Sequence, residues 1–118
     1  MSKILIADDD MDILTVVKLI LSMNHYYVHT VSDWREIPGE IERFSPDLLL
    51  LDVWLGGADG RDICKNLKES ERTQDLPIVL VSANTDFKND IRGCNADGFI
   101  SKPFETTHLI KTIHCLLK

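Results

Sequence analysis

Paired cysteines are what this sequence most plainly lacks. Cys64, Cys94 and Cys115 are odd in number, widely spaced and never form a C-x-x-C pair, which argues against both a disulfide framework and a zinc site and suits a reducing compartment. Basic residues are also in deficit. Against 19 Asp and Glu stand 13 Lys and Arg, a formal net charge of −6, whereas a phosphate-backbone surface needs clustered cations. Direct nucleic-acid binding by this domain is therefore not expected. Long apolar runs are missing as well: the N-terminus offers only Ile4-Leu5-Ile6-Ala7 before Asp8. That is too short for the core of a signal peptide or for a membrane span, so a cytoplasmic protein with no membrane partner is expected. His25, His29, His108 and His114 have no metal-ligand spacing within one element, and no repeat, linker or low-complexity stretch interrupts the chain.

What is present suffices for one core. With 44% hydrophobic residues in a length of 118, residues 1–118 are expected to form one domain without metal or disulfide staples. Short apolar runs at Lys3-Ala7, Leu48-Leu51, Ile78-Val81 and Gly98-Ile100, with a weaker one at Tyr26-Val31, read as strands. The first, third and fourth do not alternate, as befits strands of a parallel sheet covered on both faces. Between them, helical spacing groups Ile13, Val17, Ile20 and Leu21, then Ile37, Ile41 and Phe44, then Ile63 and Leu67, then Phe87 and Ile91, and finally Leu109, Ile113, Leu116 and Leu117. Pro38-Gly39 would distort a helix begun at Trp34, so the second helix is expected to start late or to bend. Asn95 suits a left-handed cap after the fourth. Five βα units predict an α/β fold, a doubly wound five-stranded parallel sheet with five helices.

Ligands of such sheets bind beyond the carboxyl ends of the strands, where the strand order reverses. Asp8 and Asp9 follow the first strand, Asp52 the third, Ser82 ends the fourth and Lys102 lies just after the fifth. In the order 2-1-3-4-5 the first and third strands are neighbours, so three carboxylates would share one crevice with a hydroxyl and an ammonium nearby. Like charges that close call for a cation. A hard dication with oxygen ligands fits, and Mg²⁺ accepts one or two carboxylates together with water and phosphate oxygens. Asp9 and Asp52 would ligate directly and Asp8 partly through water. Taken singly, each residue has a plain alternative: acids after strands solubilise loops or cap helices, as Asp10 and Asp12 are expected to do. Ser82 alone could cap a helix and Lys102 alone could be a surface charge.

Four ordered segments carry a resemblance over essentially the whole chain: Ile4-Leu5-Ile6-Ala7-Asp8-Asp9-Asp10, Leu48-Leu49-Leu50-Leu51-Asp52 with Asp59-Gly60, Val81-Ser82-Ala83, and Lys102-Pro103-Phe104. Together they resemble the receiver (CheY-like) domain of two-component response regulators, a flavodoxin-like fold. The resemblance implies an acidic pair at Asp8 and Asp9, a phosphoacceptor at Asp52, a switch hydroxyl at Ser82 and an active-site lysine at Lys102. It also implies that Mg²⁺ is bound by Asp8, Asp9, Asp52 and the Trp54 backbone carbonyl, and that Lys102-Pro103 is cis. Phe99 falls where such domains carry an aromatic switch residue; a core phenylalanine is the plain alternative. Trp54 and Asn84, two residues past Asp52 and Ser82, occupy positions that tune loss of the phosphoryl group, although Trp54 could equally be a solvent-facing apolar residue. Where the family commonly has Met-Pro, this chain has Leu55-Gly56-Gly57-Ala58, which predicts a looser loop.

The implied activity is a phosphorylation-dependent signalling switch. A histidine kinase or histidine phosphotransfer protein supplies the phosphoryl group, and the surface of the fourth helix, fifth strand and fifth helix changes to control a partner, an effector domain or homodimerisation. Ile110, His114 and Lys118 are expected on the outer face of the last helix. Catalysis is confined to the domain's own phosphorylation and dephosphorylation. Competing readings are a degenerate receiver used as a docking module, an aspartate-nucleophile phosphohydrolase and a flavodoxin-type carrier. The phosphohydrolase wants a second acid where Trp54 stands; the carrier wants a Gly, Ser or Thr-rich phosphate loop where Asp8-Asp9-Asp10 stands. An end within the last helix fits a stand-alone regulator or a piece of a longer one.

Overall fold

A run such as Leu48-Leu49-Leu50-Leu51 has no polar face to offer water, so it is stable only as a strand covered on both sides. The computed structural model, which describes residues 1–83 and 91–117, builds the chain around strands of that kind. In order these are β1 (Lys3–Ala7), α1 (Met11–Met23), β2 (Tyr27–Val31), a 3-10 turn (Trp34–Glu36), α2 (Ile37–Phe44), β3 (Leu48–Asp52), β4 (Trp54–Leu55), β5 (Ala58–Asp59), α3 (Gly60–Glu69), β6 (Ile78–Ser82), α4 (Ile91–Cys94), β7 (Gly98–Ser101) and α5 (Thr106–Leu116). Asn84, Phe87 and Lys118, singled out above, lie outside the described residues, and so does the side chain of Ile91.

The main sheet has five parallel strands in the order β2-β1-β3-β6-β7. Counting its own strands alone, this is the expected 2-1-3-4-5. β4 and β5 form a separate antiparallel hairpin that the apolar pattern did not announce. β3 and β6 are buried along their whole length, whereas edge strand β2 alternates between exposed and partly buried residues before ending at buried Val31.

Two clusters of buried side chains lie on the sheet's opposite faces. Leu5, Leu49, Leu51, Ile78 and Leu80 pack with Ile37 of α2, Cys64 and Leu67 of α3 and Cys94 of α4. Ile4, Ile6, Leu50, Val79, Val81 and Ile100 pack with Leu14, Val17 and Leu21 of α1 and Leu109 and Ile113 of α5. Each fully buried aliphatic side chain contributes about 1.5–3 kcal/mol. Cys64, Cys94 and Cys115 form no disulfide. The Cys64 thiol donates to the Cys94 carbonyl at 3.4 Å, and burial, followed by the neighbouring Cys94, pushes it up to about 12.

Details of the helices refine the expectations. α2 starts late, after the 3-10 turn, with Pro38 in its first turn, where a missing N–H is harmless. On α1 the most buried positions are Leu14, Val17 and Leu21, with Ile13 and Ile20 only partly covered. Asn95 takes the left-handed conformation (φ 63°) after α4, as anticipated. Ile110 does not stand clear on the outer face of α5: it is partly buried against the core, while His114 is exposed. Among the described residues no helix is long and apolar enough to cross a membrane.

Candidate functional site

At the carboxyl end of β1 the chain must turn into α1, and three consecutive aspartates manage the turn with divided duties. Asp10 is the helix cap: its carboxylate accepts from the N–H groups of Asp12 and Ile13 at 3.0 and 3.3 Å. Asp8 points inward and is 3% exposed. One of its oxygens takes the Asp10 N–H at 3.0 Å and the other the Lys102 ammonium at 2.9 Å. Asp9 is exposed on the connecting segment, and its Oδ2 accepts from the Gly56 N–H at 3.1 Å.

β3 runs beside β1 and delivers Asp52 to the same crevice, 8% exposed. One carboxylate oxygen from each of Asp8, Asp9 and Asp52 can be chosen so that all lie within 4.8 Å of one another. Lys102 bridges two of these groups, with its ammonium 3.4 Å from Asp52 Oδ2. Burial, then repulsion from Asp8, pushes the Asp52 carboxyl up to about 6 even though Lys102 pulls it the other way. Lys102 is itself partly desolvated, yet the hydrogen bond to Asp8 and the Asp52 charge raise it above an ordinary lysine. The crevice thus concentrates negative charge beyond what one ammonium balances. Such an all-oxygen set fits a hard divalent cation such as Mg²⁺, which would relieve the repulsion that raises Asp52.

Ser82, 2% exposed, ends β6 one residue beyond the register partner of Asp52, and its carbonyl accepts from the Lys102 N–H at 2.8 Å. The strand therefore fixes the backbone on which the lysine stands. The Lys102-Pro103 bond is cis, as the resemblance implied, and Phe104 packs partly buried on the α1 and α5 side of the core. Phe99 is partly buried against the opposite cluster, opposite Leu80 in the sheet register and therefore one pleat below Ser82 on the same face. Trp54 is 56% exposed on β4.

Two segments singled out in the sequence contribute through backbone geometry that the sequence did not disclose. Leu55-Gly56-Gly57-Ala58 forms a hairpin turn, with positive φ at both glycines (50° and 92°). A Gly-Gly pair between two strand residues was the available signal. Gly60 begins α3 against the end of β3: a Cβ there would stand 2.3 Å from the Asp52 carbonyl oxygen. Next to it Asp59 caps α3 through the Arg61 N–H at 2.8 Å and pairs with the Arg61 guanidinium at 2.7 Å, which holds its carboxyl below the usual range.

Comparison with known proteins agrees with this geometry. Residues 4–114 match the family described as the response regulator receiver domain. The DNA-binding dual master transcriptional regulator RpaA of Synechocystis is 32% identical over 120 residues, covering 100% of this chain and 50% of that protein. The chain spans about half the length of the curated relatives it matches. A response regulator structure from Chloroflexus aurantiacus superposes with a TM-score of 0.92 at 29% identity, covering 98% of this chain and 97% of that one. The chemotaxis protein CheY4 of Vibrio cholerae superposes with a TM-score of 0.91 at 27% identity, covering 99% of both. By fold, by the acidic crevice and by sequence, the chain belongs to the receiver domains of two-component response regulators.

Proposed function

We propose that the domain is switched by transfer of a phosphoryl group to Asp52 from the phosphohistidine of a histidine kinase or histidine phosphotransfer protein in the cytoplasm. The observation that carries this reading is the meeting of Asp8, Asp9 and Asp52 at the end of β1 and β3 with Lys102 across them. Asp8, Asp9 and Asp52, with the Trp54 backbone carbonyl, would hold one Mg²⁺, whose charge offsets that of the phosphoryl oxygens during transfer.

In the transfer an Asp52 carboxylate oxygen attacks phosphorus in line, and the N–P bond of the phosphohistidine breaks. The leaving imidazole nitrogen keeps the bonding pair and takes a proton from solvent. Lys102 exchanges its bridge between Asp8 and Asp52 for a phosphoryl oxygen, and the Ser82 hydroxyl donates to another. Attack by water later releases inorganic phosphate and restores the carboxylate, at a rate that the residues at the two family positions, Trp54 and Asn84, would tune. Movement of Ser82 toward the phosphoryl group frees space along its sheet face, into which Phe99 turns. The β7 position of Phe99 supports the α4, β7 and α5 surface as the one that changes. A phosphoryl group favours that arrangement by binding it better than the resting one.

That surface then acts on a partner, a second copy or an effector domain. RpaA is a DNA-binding regulator of which this chain covers 50%, whereas CheY4 is covered over 99% of its length; the two illustrate the alternative outputs.

Intact mass after incubation with acetyl phosphate, with and without Mg²⁺, tests the proposal. One added phosphoryl group is expected only in the presence of Mg²⁺ and only in protein that retains Asp52, with Asp52→Asn as the control. A protein that binds Mg²⁺ yet stays unmodified, even with its cognate kinase, would instead be a receiver that serves as a docking module.

A further inference from the structure

The three carboxylates of the crevice are not held alike. Asp8 is buried and bound at both oxygens, and Asp52 is fixed by the end of a fully buried strand. Asp9 is exposed and belongs to no helix or strand, so its own segment leaves the side chain several rotamers. Its carboxylate meets the Gly56 N–H at 3.1 Å, a contact made 47 residues away in sequence.

Gly56 and Gly57 form the tip of the β4-β5 hairpin, and their φ values of 50° and 92° are those of a type I′ turn. A Cβ at either would meet nothing within 4 Å, so these glycines serve the backbone conformation rather than a tight fit. The base of the hairpin is anchored, since Asp59 pairs with Trp54 in the ladder and caps α3. A hairpin rooted on α3 therefore presents one N–H to the least constrained carboxylate of the site.

We propose that the Gly56 N–H is a positioning donor for Asp9, and that the Gly56-Gly57 turn thereby sets the affinity of the crevice for its divalent cation. This rests on the metal-dependent phosphoacceptor reading above. A carboxylate carries lone pairs on both oxygens, so Asp9 can accept the Gly56 N–H at Oδ2 and still have a lone pair with which it would hold the ion. The neutral donor orients the ligand and leaves its charge intact. Partners of ligating groups typically affect metal affinity by about 10–100-fold.

The test is a Mg²⁺ titration followed by Trp54 fluorescence in a Trp34→Phe background. Joining residues 1–63 to 64–118 at Cys64 by chemical ligation allows the Gly56 amide to be replaced by an ester, which puts an oxygen in place of the N–H, adds no side chain and weakens the Leu55 carbonyl as an acceptor. The ester protein is expected to bind Mg²⁺ about 10-fold more weakly. Gly56→Asn, which tolerates positive φ and keeps the N–H, is expected to retain wild-type affinity. In ordinary recombinant protein, Gly57→Val breaks the turn and is expected to weaken binding in the same direction. An ester protein or a Gly57→Val protein with undiminished affinity overturns the inference while leaving the phosphoacceptor reading standing. A wild-type protein that binds no Mg²⁺ overturns both.

Discussion

Lysine meets aspartate at both ends of the sheet, and the two ends differ in whether the charges are matched. At the amino ends of β6 and β7, Lys68 lies 2.8 Å from Asp97 and donates to the carbonyl of Leu76 at 2.7 Å, while Asp97 accepts the Ile78 N–H at 2.8 Å. One cation and one anion are each tied into the backbone around them. At the carboxyl ends Lys102 faces Asp8 and Asp52 with Asp9 close by, and negative charge is left over. Matched charge at the first end holds two loops together. Burial, together with the unmatched charge at the second, raises the Asp52 pKa and suits the crevice to a cation. The same residue types thus serve structure or function according to their stoichiometry.

The contrast breaks most severely if the crevice loses its backbone frame. Gly60→Ala puts a Cβ 2.3 Å from the Asp52 carbonyl oxygen and 3.0 Å from the Val53 Cα, atoms that cannot yield without moving Asp52. Urea denaturation is expected to show a loss of about 3 kcal/mol or more, with weakened phosphorylation of whatever folds. A variant as stable and as readily phosphorylated as wild type would mean that α3 can withdraw freely from β3.

At the matched end, Lys68→Met keeps the length of the side chain and removes the charge. Because the lysine side chain is only 9% exposed, the loss of its bonds to Asp97 and Leu76 is expected to cost about 2–3 kcal/mol. Phosphorylation measured by intact mass is expected to be unchanged, because the pair lies at the far end of the sheet from Asp52.

At the unmatched end the sign reverses. Asp52 in the folded protein titrates at about 6, against 3.8 for an unhindered aspartate. Between those values the folded state holds a proton that the unfolded state has released, so this group's contribution to stability falls as pH rises through that window. Above it the penalty is complete, about 2 kcal/mol and at most about 3. Asp52→Asn is therefore expected to be more stable than wild type at pH 7 in EDTA, with the advantage vanishing near pH 4. Saturating Mg²⁺ is expected to erase most of it. The difference between the two denaturation curves across pH isolates Asp52 from other titrating groups. A difference that stayed flat would mean that Lys102 already balances the crevice.

Much of this contrast was legible in the sequence. Strand positions, their order and the convergence of Asp8, Asp9, Asp52, Ser82 and Lys102 followed from apolar runs without alternation and from the rule that parallel sheets gather functional residues at their carboxyl ends. The late start of α2 followed from Pro38, and the left-handed cap from Asn95. What escaped depends on backbone geometry that no side chain reports. Gly56 donates through its main chain, and Gly60 matters for an atom it lacks. Helix faces were blurred for a related reason: Leu14 is buried while Ile13 and Ile20 are only partly covered, because the rotation of a helix against its sheet is settled by packing and not by spacing. Lys68 and Asp97 went unnoticed because a single lysine and a single aspartate, 29 residues apart in the numbering, carry no pattern.

The smallest effect tests whether stoichiometry separates structural from functional acids within a single turn. Asp10 stands directly after Asp8 and Asp9, yet its carboxylate is used up on the Asp12 and Ile13 N–H groups at the start of α1. It gives Asp8 only its backbone N–H, which any residue other than proline would supply. Asp10→Ala should therefore cost about 1 kcal/mol of stability, as the loss of a helix cap does, and leave Mg²⁺ affinity and Asp52 phosphorylation at wild-type levels. Asp10→Ser, which can still cap, should recover most of the stability. A loss of Mg²⁺ affinity in Asp10→Ala would place a fourth aspartate in the charge cluster and enlarge the imbalance that distinguishes this end of the sheet.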